Sequence, residues 1–342
     1  MGEEEHSRAL SEEEVIRLVQ SLAGESHDEL VVGIGDDAAV LRLGGQAICV
    51  TTDLMLEGVH FDLAYMRPFE VGWRAMAANL SDLAAMGARP RWGLLTLGLT
   101  PPVERELVEE LLAGVMELAG AYDLTLAGGD TVASPRLLIS LCLLGAAEPR
   151  RPVLRRGAHP GDAVCVTGRL GEAAAGLAWL KRGGRRDDPT AVGAVERFLR
   201  PLPRVAAGRA LAQSGRVHAM MDLSDGLASD LARLCQASQV GATVEERLLP
   251  IGDHTRAVAR ALDTSARDWA LTGGEDFELL FTCAPQDVDL LAELVADQEP
   301  DLKVTRVGEI HPGRGVFLRG ADGDMRDITL TGFDHFRRGE PA

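Results

Sequence analysis

Carboxylates set beside glycines or hydroxyls recur through this sequence, and the recurrence limits what it can fold into. The first stretch is GIGDDAAVL at 33–41, where a Gly-x-Gly turn delivers Asp36 and Asp37 together ahead of an apolar run. Glycine allows positive φ or close approach of the backbone to another group. Neighbouring acids repel, so a solvated turn or a bound cation must offset them. Related clusters follow at Thr51-Thr52-Asp53, Asn79-Leu80-Ser81-Asp82, Gly128-Gly129-Asp130, Asp222-Leu223-Ser224-Asp225-Gly226 and Gly273-Gly274-Glu275-Asp276. Most of them lie where an apolar, strand-like run starts or stops.

The runs between them alternate in character. Strand patterns cover 31–34, 38–43, 47–52, 92–99, 124–127 and 137–145 in the first half. Helical patterns cover 12–22, capped by Ser11, together with 71–88 and 103–121. In the second half, strands at 162–167, 217–222, 242–245, 277–283, 304–309 and 316–319 interleave with helices at 172–181, 204–213, 227–239 and 288–296. This is an α/β layer architecture. The stretch AAEPRRPVLRRGAHPG at 146–161 carries three prolines and four arginines without helical period, and it places a domain boundary there, giving units 1–148 and 149–342.

Composition narrows the function classes. The formal charge is −17, from 35 basic and 52 acidic residues, which excludes a basic nucleic-acid surface. The same excess repels any phosphorylated ligand unless metals or local arginines reverse it. The five cysteines form no C-x-x-C and sit in or beside apolar runs, the pattern of core thiols in a reducing compartment. The start MGEEEHSRALSEEE has no apolar signal region, and the longest apolar run, 137–147, is too short to cross a bilayer. A soluble cytoplasmic protein is expected.

Lys181 and Lys303 are the only lysines, so no Walker A loop is present. Dinucleotide and protein-kinase fingerprints are also missing, as is a nucleophile elbow. What remains is carboxylates, hydroxyls and glycines at strand ends, a set of hard oxygen donors. Mg²⁺ with a phosphorylated substrate suits it. Asp82 stands in the middle of an otherwise apolar helix and shares a face with Asn79; if buried, it needs a partner, and a metal is one candidate. Arg155 and Arg156 either are solvated in the linker or close over a polyphosphate. Ser224 or Asp225 can cap the helix that follows, which leaves Asp222 unexplained. His60 has no second histidine at metal-ligand spacing, so a loop hydrogen bond is its bland reading. A Mg²⁺-nucleotide enzyme is the inference before any family enters.

GIGDDAAVL, TTDLMLEGVHF, AANLSDLAAMGARP, AGGDT, MDLSDGLASDL, TGGEDFELLFT and a final GFDHF resemble, in that order and along nearly the whole chain, the thiamine-monophosphate kinases of the aminoimidazole-ribonucleotide-synthetase-like superfamily. The resemblance implies a two-domain α/β (α+β) subunit. Its N-terminal domain would bind ATP and Mg²⁺ and form a sheet barrel across a homodimer; its C-terminal domain would be an α/β sandwich over the nucleotide. It implies transfer of a phosphoryl group from ATP to thiamine monophosphate, in line and with several Mg²⁺ ions. The acceptor is an ionised phosphate oxygen, so positioning and charge neutralisation suffice.

By motif, Asp37, Thr51, Thr52, Asp53, Asp82, Asp130, Asp222 and Asp225 resemble metal ligands, with Asp82 bridging ions and, with Asp222, central to catalysis. Asp36 either joins them or only shapes the turn. Gly128, Gly129, Asp130, Arg155 and Ser224 resemble ATP contacts, with Arg156 as a competitor to Arg155. His60, Glu275 and Phe333 resemble the groups that hold thiamine, and the aromatic ring can stack on a cationic thiazolium. Alternatives are a sister ATP-using enzyme or a nucleotide-binding dimer without turnover. Against a selenophosphate synthetase, Cys49, the first cysteine, lies within a strand rather than an early Gly-rich segment. Against a hydrogenase-maturation dehydratase, the sequence ends GEPA rather than in a cysteine. Against the turnover-free reading, no metal-ligand aspartate is lost.

Overall fold

A computed structural model describes residues 11–23, 27–147 and 151–329. The N-terminal half is built from β1 (Leu30–Val32), β2 (Ala39–Leu43), β3 (Gln46–Leu56), β4 (Arg89–Leu99), β5 (Thr125–Ala133) and β6 (Leu138–Ala146), with helices α1 (Glu12–Leu22), α2 (Pro68–Ala85) and α3 (Arg105–Ala121). The six strands form one sheet in the order β1-β2-β3-β6-β4-β5. Only β4 and β5 run parallel within it. The sheet is open within the single chain, with β1 and β5 at its edges.

The C-terminal half holds β7 (Ala163–Thr167), β8 (Val217–Asp222), β9 (Gly241–Glu245), β10 (Leu279–Cys283), β11 (Val304–His311), β12 (Val316–Arg319) and β13 (Met325–Asp327). They form a seven-stranded mixed sheet in the order β13-β12-β9-β11-β7-β10-β8. Its helices are α4 (Glu172–Lys181), α5 (Val192–Leu199), α6 (Val205–Ser214), α7 (Leu227–Ser238), α8 (Asp253–Ala261), α9 (Ala266–Thr272) and α10 (Val288–Gln298). Strands β7 and β10 are buried at every position, as expected for apolar runs covered on both faces.

Helix α2 packs against elements of both halves. Pro68 sits in its first turn, and the Glu70 carboxylate accepts a hydrogen bond from Arg67 N–H. Val71, Met76, Leu80 and Leu83 are fully buried. Small residues bring neighbours close: a Cβ on Gly72 would lie 2.0 Å from the Leu111 carbonyl of α3, and one on Gly114 would lie 1.9 Å from the Phe69 carbonyl. On another side, Gly208 of α6 packs against the Ala84 carbonyl. The helix therefore touches both halves, and polar residues on it can reach strands of either sheet.

Most expected elements appear, with shifted ends. Strand 217–222 and helix 172–181 match their expected limits. Helices α5, α8 and α9 are additions; each is short, at 8, 9 and 7 residues, so its apolar face spans about two turns. The strand expected over 124–127 instead runs through Gly128-Gly129-Asp130 to Ala133 as β5. Pairing with β4 explains this. Gly129 lies so close to the Leu95 carbonyl that a Cβ would come within 1.7 Å, and a register shift at Gly93/Leu94 accommodates an extra residue on β5. Close interstrand approach requires the glycine at 129, whereas Gly128 meets no neighbour closer than ordinary contact; both sit within the strand at a φ of 159°, not in a turn.

Candidate active site

Three carboxylates from three separate elements converge at the junction of the halves. Asp37 precedes β2, Asp82 lies on α2 and Asp222 ends β8, and one oxygen of each lies within 4.8 Å of the others. Strand alternation explains the share of β3: Thr51 and Asp53 face α2, while Thr52 faces the opposite side of the sheet. Thr51 Oγ1 donates a short hydrogen bond to Asp82 Oδ2. Asp53 lies beside Asp82, close enough for the two charges to act on one another, and its backbone N–H donates to Asn79 Oδ1 at 3.2 Å. Ser81 Oγ donates to Asp222 Oδ2 at 2.6 Å. The ANLSD segment of α2 thus grips β3 with Asn79 and Asp82 and β8 with Ser81.

The cluster is charged beyond its neutralisation. Asp37 Oδ1 accepts from Arg155 Nε at 3.0 Å and Nη2 at 2.6 Å. Asp36 accepts the Arg155 backbone N–H at 3.2 Å. Asp37 Oδ2 is buried and has no hydrogen-bond partner among the described residues. Burial raises the Asp82 pKa well above the carboxylate range, and Asp53, Asp222 and Asp37 push it further. Burial and Asp37 do the same to Asp222, against the Ser81 hydrogen bond. Burial also raises Asp37, opposed by Arg155. Asp36 is pushed up to about 6 by burial and then by Asp37. An orphaned buried oxygen among mutually repelling carboxylates fits a hard divalent cation.

The remaining expected residues fall in different places. Asp225 pairs with Arg233 and lies in the loop after β8. That loop is fixed by Asp230, which accepts the N–H groups of Ser224 at 3.1 Å and Asp225 at 3.0 Å. Asp230 is fully buried, and burial pushes its pKa up to about 7. Neither Asp230 nor Arg233 was anticipated; an acid in the first turn of α7, one turn after DLSDG, was the available signal. Antiparallel pairing of Leu279 with Asp222 lays the TGGEDF segment along this loop, and Glu275 N–H donates to the Ser224 carbonyl at 2.8 Å. Glu275 takes φ of 68° and pairs with Arg74 Nη2 at 2.6 Å, whose guanidinium is buried in α2.

Asp130 is not brought to the three-carboxylate cluster. It lies on the exposed edge strand and accepts its neighbour Thr131 N–H at 2.8 Å. Gly128, Gly129 and Asp130 line an open groove of about 430 Å³ with Leu95, Leu97, Leu126 and Thr131. Thr52 Oγ1 donates to the Leu141 carbonyl at 3.0 Å, so its hydroxyl belongs to the far face of the sheet. His60 Nδ1 accepts Leu56 N–H at 3.0 Å in the loop after β3. Arg156 lines a second cleft, of about 270 Å³, with residues 31–36 and Ala237. Phe333 lies outside the described residues.

Family models match both halves: "AIR synthase related protein, N-terminal domain" over residues 35–147, and the corresponding C-terminal domain over residues 159–320. Thiamine-monophosphate kinase of Haemophilus influenzae is 37% identical over 91% of this chain and 93% of its own length. That of Escherichia coli K12 is 39% identical over 90% and 93%. Among solved structures, AaThiL complexed with AMPPCP and TMP superposes with a TM-score of 0.83 at 32% identity, covering 97% of this chain and all of that one. Thiamine-monophosphate kinase of Stenotrophomonas maltophilia K279a gives 0.75 at 38% identity, over 91% and 95%. Hydrogenase maturation protein HypE in complex with ATP, at 19% identity and a TM-score of 0.68, shares the fold alone.

Proposed function

The chain belongs to the thiamine-monophosphate kinases among the AIR synthase related proteins, and from that premise we propose how its residues carry out the reaction. It is an enzyme that phosphorylates thiamine monophosphate with ATP. The observation that carries the residue-level reading is the convergence of Asp37, Asp82 and Asp222 around the unpartnered Asp37 oxygen.

Asp37, Asp82 and Asp222, with Asp53 and Thr51 beside them, would hold Mg²⁺. When bound, the metal supplies positive charge to the phosphates of ATP and of the acceptor, which a protein of net charge −17 would otherwise repel. The chain's own residues do the positioning. Arg155 occupies one oxygen of Asp37 and leaves the other for a cation, and its guanidinium stays within reach of a polyphosphate. Ser81 and Thr51 orient the carboxylates of Asp222 and Asp82 by donating to one oxygen of each. Ser224 and Asp225 contribute from the loop that Asp230 holds. The acceptor is an ionised phosphate oxygen, so the residues need not remove a proton; they need to align two anions.

Glu275, fixed by Arg74, and His60 and Phe333 hold the thiamine moiety in this reading. Gly128, Gly129 and Asp130 line the groove that takes part of the nucleotide. The exposed apolar residues Leu54, Trp92, Leu94 and Val132 and the edge of β5, which no strand covers among the described residues, support a homodimer in which two N-terminal sheets meet. The matched stretches leave residues 148–158 between them, which supports domains of 1–148 and 149–342. No described helix is long and apolar enough to cross a bilayer, and all five cysteines are free thiols; both support action in the cytoplasm. The test is incubation with γ-labelled ATP and thiamine monophosphate. Labelled thiamine diphosphate that disappears on chelation of Mg²⁺ is expected; label retained in product after exhaustive chelation contradicts the metal assignment.

A further inference from the structure

A second convergence of ligating groups lies at the opposite end of β8 from Asp222. His218 is the second residue of that strand, Asp162 immediately precedes β7, and His159 ends the segment that joins the two halves. Asp162 is buried, His218 is half-buried and His159 is exposed. One ligand atom of each lies within 4.8 Å of the others. Asp162 Oδ2 is 2.8 Å from His218 Nδ1 and 3.8 Å from His159 Nδ1, and the two imidazoles meet edge to face with centroids 5.0 Å apart.

We propose that His159, Asp162 and His218 form a binding site for a zinc-class divalent ion. Two imidazoles and one carboxylate are a donor set for Zn²⁺ or Co²⁺, not for Mg²⁺, which prefers oxygen. A tetrahedral ion with bonds of about 2.0–2.1 Å spaces its ligand atoms about 3.3 Å apart. The two Asp162–histidine spacings bracket that value, each within about half an ångström. The backbone holds the carboxylate in place: His159 N–H donates to Asp162 Oδ2 at 2.8 Å, and the Asp162 carbonyl accepts Ile310 N–H at 2.8 Å. The exposed His159 leaves the fourth position to water. Three protein ligands with one open position suit reversible loading.

The ion would fasten the joining segment to the C-terminal sheet. That segment already leans on β8 through the hydrogen bond from Met220 N–H to the Leu154 carbonyl. Ser238 of α7 accepts the N–H groups of Gly157 and Ala158 and donates to the Arg155 carbonyl. The same stretch carries Arg155 to Asp37. Metal at His159 would therefore pin the far end of the segment that brings Arg155 into the active site, and by mass action it would stabilise the folded protein.

The test uses the full-length, tag-free protein in excess Mg²⁺, titrated with Co²⁺ and Zn²⁺. One equivalent of Co²⁺ should bind with the intense visible bands of a tetrahedral site and be displaced by Zn²⁺. Zn²⁺ should raise the melting temperature. His159→Ala, at an exposed position that does not endanger the fold, and His218→Ala should each weaken binding by more than about tenfold, at or beyond what loss of a mere supporting group costs a metal site. Both should abolish the thermal shift. Absence of saturable Co²⁺ binding by the wild type, or affinity unchanged in either variant, overturns the proposal.

Discussion

Two buried acidic clusters in this chain have opposite designs. In the C-terminal half, Glu278 lies beside Arg204 at 2.5 Å, accepts from Thr167 Oγ1 at 2.6 Å, and shares Arg204 with Glu299 at 2.9 Å. Its charge is matched and its oxygens are satisfied. At the junction of the halves, Asp37, Asp82 and Asp222 face one another, Arg155 reaches one oxygen of Asp37, and the other oxygen has no partner. The first cluster spends hydrogen bonds on holding β7, β10 and α6 together. The second stores repulsion that protonation relieves in the metal-free protein and a bound cation would relieve at neutral pH. A matched buried acid is architecture; an unmatched group of them, drawn from remote parts of the chain, is a site.

Substitutions can break this contrast. Asp82→Asn removes the central carboxylate of the unmatched cluster. Turnover is expected to fall by at least about 10²–10³-fold, the scale for loss of one preorganised electrostatic group, with an unchanged far-ultraviolet circular dichroism spectrum; a coupled assay of ADP release measures it. Wild-type turnover would remove Asp82 from the mechanism. Arg204→Ala strikes the matched cluster and leaves Glu278 buried without its cation. A loss of about 3–5 kcal/mol in stability is expected by urea denaturation, while folded enzyme retains its kcat. Loss of kcat without loss of stability would reverse the assignment of the two clusters.

Arg155→Gln tests the link between cation and cluster. Two charge-assisted hydrogen bonds to Asp37 are lost, each worth about 1.5–3 kcal/mol, and the KM for ATP should rise while the Mg²⁺ requirement shifts. An unchanged KM would assign ATP contact to Arg156 instead.

The smallest effect is in pH dependence. Burial, with repulsion between neighbouring aspartates, raises the folded-state pKa values of Asp36, Asp37, Asp82 and Asp222 above the ordinary aspartate range, Asp36 to about 6. The folded protein therefore holds more protons than the unfolded chain between about pH 4 and 6 and above. In the absence of Mg²⁺ its stability should fall as pH rises through that window, by up to about 1.4 kcal/mol per pH unit for each extra proton held. Asp82→Asn should flatten the slope and leave the metal-free protein more stable at neutral pH. Melting temperatures measured across pH 4–8 in chelator check this; a slope of opposite sign would show that the cluster is not strained.

Local pattern was enough for much of the architecture. The limits of β8 and α4, the interruption at 146–161 and the lone acid in α2 all follow from periodicity, breakers and helical spacing, which act over a few residues. The alternation of Thr51 and Thr52 across β3 is equally local: the motif reads as one ligand group, but the strand's period of two separates its hydroxyls. Edge pairing was not legible. GGD reads as a turn until β4 lies alongside and requires Gly129 to pass close to the Leu95 carbonyl. The short helices α5, α8 and α9 are too brief for their periodicity to stand out in the sequence, and helices of that length depend on tertiary packing for stability.

Sequence alone determined which chemistry was available: hard oxygen donors at element ends, few lysines, and arginines near the middle of the chain. Tertiary structure alone decided which donors meet. Ser81 and Asp222 are 141 residues apart, and Arg155 and Asp37 are 118 apart. No local rule encodes such pairs, because their approach depends on how α2 packs between two sheets. The small residues along α2 permit that close packing, and the close packing turns dispersed acids into one pocket with more negative charge than the protein can neutralise unaided.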